Sequence, residues 1–335
     1  MSDPVSTTTN EDEVLDRLRA FLVNQLGDDD APEVASLRKA SLGRSRENWL
    51  FDAVWRTGVR EPLIVRRDPL GGLVESERAT EFAVLRALES SSLPTPKVKW
   101  LDATGEWLGR PSLIMHRESG ESDYFILNGD RALATRLAVA ENLCDLLAAV
   151  HLVDWRAAGL GEVLFDPGER AAAFELDRFV ETLRADQLES YPELEFAIVW
   201  LREHAPSSQA TVLVHSDFKA GNVLLDGTDV VALLDWELAH LGDPLEDLGW
   251  VTQPLREREH LIPGSWEREQ LIERYSLATG LEVSAEDLHW WNTFSTFKTA
   301  VMQVSGLRSY LDGRSQEPYR PTARVLQTLL KAIEG

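Results

Sequence analysis

The stretch VLVHSDFKAGNVLLDGTDVVALLDWELAH, residues 212–240, embeds His215, Asp217, Lys219, Asn222 and Asp235 in two short runs that otherwise read as apolar strands. Polar groups in such runs are costly unless they are paired or used. Asp217 stands where a short strand gives way to a loop, and Asn222 follows five positions on. A second strand, VVALLDWE, ends in Asp235. Hairpin-like strands would set Asn222 and Asp235 side by side as hard oxygen ligands, a donor set suited to Mg2+ when phosphates complete its shell. Asp217 is then left to accept a hydroxyl proton. A metal, a base and positive charge over phosphates are the parts that phosphoryl transfer needs.

The elements that must position these residues fall into two groups. Residues 1–10 read as disordered, and EDEVLDRLRAFLVNQL (11–26) has helical spacing at Val14, Leu15, Leu18, Phe21, Leu22 and Leu26. SLGRSRENWLFDAVWR reads as a strand, a turn and a strand, and EPLIVRRD as a short strand ending in arginines. ESERATEFAVLRALES (75–90) predicts a helix that stops at the prolines of SSLPTPKV. KVKWLD and PSLIMHRE follow as strands around a GEWLG turn. Beyond Gly120 the chain is mainly helical, with a long apolar stripe over 130–154 and further helices before and after the 212–240 stretch. A DGTD turn at 226–229 divides that stretch.

Composition excludes several classes. At 335 residues, 44% apolar and 27% charged, the chain is an ordinary globular one with room for a large core. A formal charge of −22 with no basic stripe argues against nucleic-acid binding. No uncharged apolar run reaches the ~18 residues of a spanning helix, and the acidic N-terminus has no secretory pattern. The single cysteine, Cys144, rules out an intrachain disulfide, reads as a core residue and fits a cytoplasmic protein. There is no GxxxxGK[ST], no HExxH, no paired CxxC, no DFG and no APE-like block.

The set HxDxxxxN, a hydrophobic strand and DWE resembles the aminoglycoside phosphotransferase/choline kinase group, which has the bilobal protein-kinase-like fold. The resemblance covers about residues 35–310 and is closest to the branch related to the kinase-like domain of certain acyl-CoA dehydrogenases. HLVD (151–154), GDPLEDLGW (242–250) and FKTAVMQ (297–303) belong to the same likeness. It implies an α+β fold with a strand-rich small N-terminal lobe and a mainly helical C-terminal lobe. The expected division is an extension with one helix at 1–34, a nucleotide-binding lobe at 35–117 and a lobe with catalytic loop, metal site and acceptor site at 118–335.

On that resemblance Asp217 is the catalytic base, and Asn222 and Asp235 hold Mg2+. His215 holds the catalytic loop, and Lys219 reaches the transferring phosphate. LGRSRENWLF (42–51) corresponds to the phosphate-covering loop, with Gly43 as its one glycine and Ser45, Glu47 and Asn48 filling the turn. Arg66 stands where a protein kinase has its strand lysine and suits phosphates, while Arg67 lies on the opposite strand face. Glu81 is the expected acidic partner, with Glu77 as the alternative one turn earlier. Met115 would flank the adenine, and backbone groups around His116 would bond its edge. Asp243 and Asp247 read as structural, Asp247 bracing the catalytic loop.

The resulting expectation is an ATP- and Mg2+-dependent O-phosphotransferase acting on a small hydroxylated molecule, either aminoglycoside-like or hydroxyacyl, without nucleic-acid binding or membrane insertion. Glu237, Glu246, Trp290 and Trp291 stand as candidates for the acceptor side, which helices after Gly120 and after Trp250 should line. A noncatalytic kinase-like nucleotide-binding protein is the alternative, favoured by the glycine-poor loop and the arginine in place of lysine.

Overall fold

The computed structural model describes residues 10–40, 47–68, 78–315 and 318–334. Gly43, Ser45 and Glu77, and all but the last of the residues read as disordered at the N-terminus, lie outside these. Helix α1 (Glu11–Leu26) starts where the Asn10 side chain accepts the Asp12 N–H, carries three acidic residues in its first turn and stops at Gly27, whose φ is 87°. Strands β1 (Glu33–Lys39), β2 (Glu47–Val54), β3 (Arg60–Arg67), β4 (Val98–Asp102) and β5 (Ser112–His116) form one antiparallel sheet in the order β1-β2-β3-β5-β4.

Strand alternation gives this sheet two different faces. Trp49, Phe51, Leu63, Val65 and Ile114 pack beneath Val14, Leu18, Phe21 and Leu22 of α1. Val98, Leu113 and Met115 instead join the main core, together with Val84, Leu85 and Leu88 of α2 (Arg78–Leu88). The two arginines that end β3 therefore part company. Arg66, opposite Asn48 in register, faces the cleft. Arg67 is buried on the α1 side, where Glu47 pairs with it at 3.2 Å and with Arg110 at 3.0 Å.

The larger part of the chain is helical: α3 (Leu133–His151), α4 (Ala171–Asp186), α5 (Pro192–Glu203), β6 (Val212–Val214), β7 (Val223–Asp226), β8 (Asp229–Leu233), β9 (His240–Gly242), α6 (Pro244–Thr252), α7 (Glu257–His260), α8 (Arg268–Thr279), α9 (Ala285–Leu311) and α10 (Ala323–Glu334). The 27 residues of α9 span about 40 Å and form the axis on which α4, α6 and α10 pack. Trp290, Trp291, Phe294 and Phe297 fill its buried face, the two tryptophans edge to face at 4.9 Å. The tryptophans expected at the acceptor side are thus core residues. Among the described residues, no helix is long and apolar enough to cross a membrane.

Candidate active site

Strand β6 leads straight into the 215–222 loop, and its hydrogen-bonded partner is β9, which lies beyond the second strand of the motif. The local hairpin is β7–β8, closed by the expected Asp226–Asp229 turn with Gly227 at φ 66°. That hairpin brings the two candidate metal ligands together: Val223 pairs with Leu233, and the Leu234 N–H donates to the Asn222 carbonyl at 2.7 Å. Asp235 follows at φ 62°, a left-handed conformation that lifts its side chain out of the strand run.

Within the loop, His215 is fully buried. Its Nε2 faces the Leu234 carbonyl at 2.8 Å and its Nδ1 faces the Asp217 N–H at 3.3 Å. One acceptor and one donor fix a neutral ring that ties the loop to the end of β8. Asp247 accepts both the His215 and the Ser216 N–H at 2.7 Å. It is aligned in turn by His151, which lies 3.2 Å from Asp247 and 2.6 Å from the Tyr275 hydroxyl. The HLVD histidine therefore acts on the loop through Asp247. Asp247 is held below the usual carboxylate range: burial opposes its charge, but the hydrogen bond and charge of His151 outweigh it.

Asp217 is partly exposed and engaged by two neighbours. Lys219 Nζ hydrogen-bonds its Oδ2, and Asn222 Nδ2 donates to the same oxygen at 3.1 Å and to the Asp217 carbonyl at 3.0 Å. The Asn222 amide hydrogens being used this way, its Oδ1 is the atom left for a cation.

Across the cleft Arg66 donates to Glu81 at 3.2 Å and also hydrogen-bonds Asp235, so one guanidinium links α2 to the motif's last carboxylate. Burial alone would weaken the Arg66 charge, and Asp235 and Glu81 more than restore it. Arg78, which sequence reasoning did not single out, bonds both Glu81 and Asp68. Asn48 shares the Arg66 face, and its buried Oδ1 has no hydrogen-bond partner among the described residues. Hard oxygens at Asn222 and Asp235 and an arginine beside them fit a metal–phosphate group.

Strand β5 carries Met115 and His116 on opposite faces. Met115 is buried on the cleft face, whereas the His116 side chain turns to the other face and lies 3.3 Å from Glu61. The His116 N–H already donates to the Lys97 carbonyl at 2.8 Å and that of Arg117 to Pro62 at 3.0 Å. Both amides are thus already used within the protein.

Glu175, His240 and Glu246 place ligand-type atoms within 4.8 Å of one another. Arg178 and Lys298 lie against those carboxylates at 2.6 and 3.3 Å, so the cluster is charge-balanced by cations that a metal would have to displace. Glu246 thereby leaves the acceptor side for the interior. Cys144 is a core residue whose thiol burial pushes up to about 12.

The sequence model of the phosphotransferase enzyme family matches residues 43–284, most of the chain. The chain belongs to this family. Acyl-CoA dehydrogenase family member 10 of Mus musculus is 27% identical over 274 residues, covering 76% of this chain and 25% of that protein. Family member 11 of the same organism is 26% identical over 283 residues, covering 79% and 36%. The chain thus spans only about a quarter to a third of these relatives' length. Among solved structures, a candidate aminoglycoside phosphotransferase of Ralstonia eutropha superposes with a TM-score of 0.71 at 24% identity, over 95% of this chain and 94% of that one. A macrolide 2'-phosphotransferase of Brachybacterium faecium does so with 0.61 at 17%, over 95% and 98%. These likenesses establish the bilobal fold.

Proposed function

We propose that this phosphotransferase uses ATP with Mg2+ and that Asp217 is the base which takes the acceptor's hydroxyl proton. The observation that carries the reading is that Asp217, Lys219 and Asn222 bond one another in one loop, while Asp235, set beside Asn222 by the β7–β8 hairpin, is bonded from across the cleft by Arg66. Asn222 and Asp235 would hold Mg2+, which when bound neutralises charge on the phosphate oxygens. Arg66 would turn from Asp235 toward the phosphates that are not transferred, keeping Glu81 as its anchor. Lys219, already on Asp217, is suited to donate to the phosphoryl oxygens as charge builds on them. His215 acts by holding the loop. Met115 would line the adenine pocket, and Asn48, Gly43 and Ser45 would belong to the phosphate-covering segment.

The acceptor would enter a cavity of about 580 Å3 between the segment after Gly120 and the one after Trp250, lined by Tyr124, Phe125, Leu255, Glu257, Arg258 and Arg324 among others. Tyr124 lies directly on the loop: a Cβ at Gly221 would stand 2.9 Å from its ring. Aromatic faces with charges of both signs suit a hydroxylated molecule with apolar and polar parts. The single buried cysteine and the acidic surface suit a cytoplasmic enzyme that binds no nucleic acid.

The test is ADP release from Mg·ATP in the presence of hydroxylated small molecules, amino sugars and hydroxyacyl compounds included. An acceptor should raise ADP release above the rate with water, and Asp217→Asn should abolish the increase. An Asp217→Asn enzyme as fast as wild type would contradict the assignment of the base.

A further inference from the structure

Lys298 is 1% exposed, midway along α9 between Phe297 and Val301. A buried ammonium persists only when paired and hydrogen-bonded. Its Nζ donates to the Ser216 carbonyl at 2.9 Å and to Ser216 Oγ at 2.6 Å, and lies 3.3 Å from Glu246 Oε1. The Ser216 hydroxyl donates its own hydrogen to the same Glu246 oxygen at 3.1 Å. The rings of Trp250 and Phe179 complete the enclosure, with centroids 5.0 and 5.5 Å from Nζ. The other Glu246 oxygen holds His240 Nε2 at 2.9 Å.

Ser216 has φ 71°, a conformation that L-residues keep only where their surroundings over-determine it. Here both ends are clamped: Asp247 takes the N–H groups of His215 and Ser216, and Lys298 takes the Ser216 carbonyl. That carbonyl belongs to the peptide joining Ser216 to Asp217. Because a peptide is planar, fixing its carbonyl fixes the direction in which the Asp217 backbone, and hence its carboxylate, leaves the turn.

We infer that Lys298 is a positioning residue for phosphoryl transfer, holding the left-handed turn at Ser216 so that Asp217 meets the acceptor hydroxyl, with Glu246 as the counter-charge that lets the ammonium stay buried. This rests on the reading of Asp217 as the base. Lys298 acts through the backbone of the loop, and the cost of its loss falls on the chemical step more than on nucleotide binding. A misplacement of the base by ~1 Å would slow that step by about 100-fold.

Two variants test it. Lys298→Met leaves Glu246 under-compensated and should lower the melting temperature. Lys298→Met with Glu246→Gln removes both charges and should recover much of it. In the double variant, amide hydrogen exchange across residues 214–218 should accelerate at least about tenfold, while turnover of Mg·ATP with water as acceptor falls by about two orders of magnitude and its Kd stays within about threefold. Wild-type exchange and turnover in the double variant would overturn the inference. So would turnover that recovers in step with melting temperature, since that is the signature of a purely structural lysine. Binding of Mg·ATP to the wild type tests the ATP reading by itself, and the exchange measurement needs no nucleotide. A failure of either is therefore distinguishable from a failure of the other.

Discussion

The Arg66 guanidinium, near the end of β3, hydrogen-bonds the Asp235 carboxylate, so a residue of the small lobe holds a candidate metal ligand of the large one. Glu81 anchors the same guanidinium from α2, and the lobes are joined through charges at the point where nucleotide phosphates would sit. Entry of Mg2+ and phosphate would exchange the Arg66–Asp235 pair for a metal–Asp235 bond and an Arg66–phosphate contact.

Arg66→Met should therefore weaken Mg·ATP binding by about tenfold or more, which corresponds to about 1.4 kcal/mol or more. Arg66→Lys keeps the charge but loses the fork that engages Glu81 and Asp235 together, and should fall between the two. Titration calorimetry on the three proteins checks the order.

Asp217→Asn keeps the shape of the loop, since Asn222 and Lys219 still have an oxygen to bond. With general-base assistance worth about 100- to 10,000-fold, turnover should fall within that range while the Mg·ATP Kd stays within about threefold. A single-turnover measurement separates the two quantities.

Gly249 allows α6 to press against α9. A Cβ there would stand 2.7 Å from the Trp291 Cβ and 2.8 Å from its backbone carbon, neither of which can swing aside. Gly249→Ala should destabilise the fold by about 1–3 kcal/mol, readable as a lower urea midpoint.

His240 supplies a pH dependence. Its Nδ1 faces the Leu238 carbonyl at 2.9 Å and its Nε2 faces Glu246 at 2.9 Å, so both nitrogens are donors and the ring is an imidazolium. Burial opposes that charge, but Glu175 on α4 and Glu246 on α6 outweigh it and also overcome the repulsion of Arg178, raising the pKa from 6.5 to about 9. Lys298 stands beyond Glu246. A raised value means that stabilisation is complete below about pH 6.5 and is lost as pH rises through about 9. The melting temperature should drop between pH 7 and pH 10, and the drop should be smaller in His240→Gln.

Local chemistry made part of this site legible in the sequence. Asp217, Asn222 and Asp235 stand out because they interrupt apolar runs, and the Asp226–Asp229 turn is enough to place Asn222 beside Leu234. What escaped depends on distant partners. Strand β6 pairs with β9 through only three residues, and no local pattern announces such a short ladder. Strand β1, at Glu33–Lys39, carries too little alternation to be read. Trp290 and Trp291 look the same in sequence whether they line a pocket or fill a core. Lys298 lies 82 positions from the serine it holds, and its only signal was a lysine inside the apolar run of FKTAVMQ. That strand pairing uses the amides of His116 and Arg117 is likewise revealed only by the register.

The most direct measurement is calorimetric titration of ATP into the wild type and into Asp235→Asn, each with and without Mg2+. We expect binding in the micromolar to submillimolar range that requires Mg2+ in the wild type, and weakening by about tenfold or more when Asp235 loses its charge. Binding that is indifferent to both Mg2+ and the substitution would contradict the metal site, and no binding at millimolar ATP would contradict the nucleotide reading as a whole.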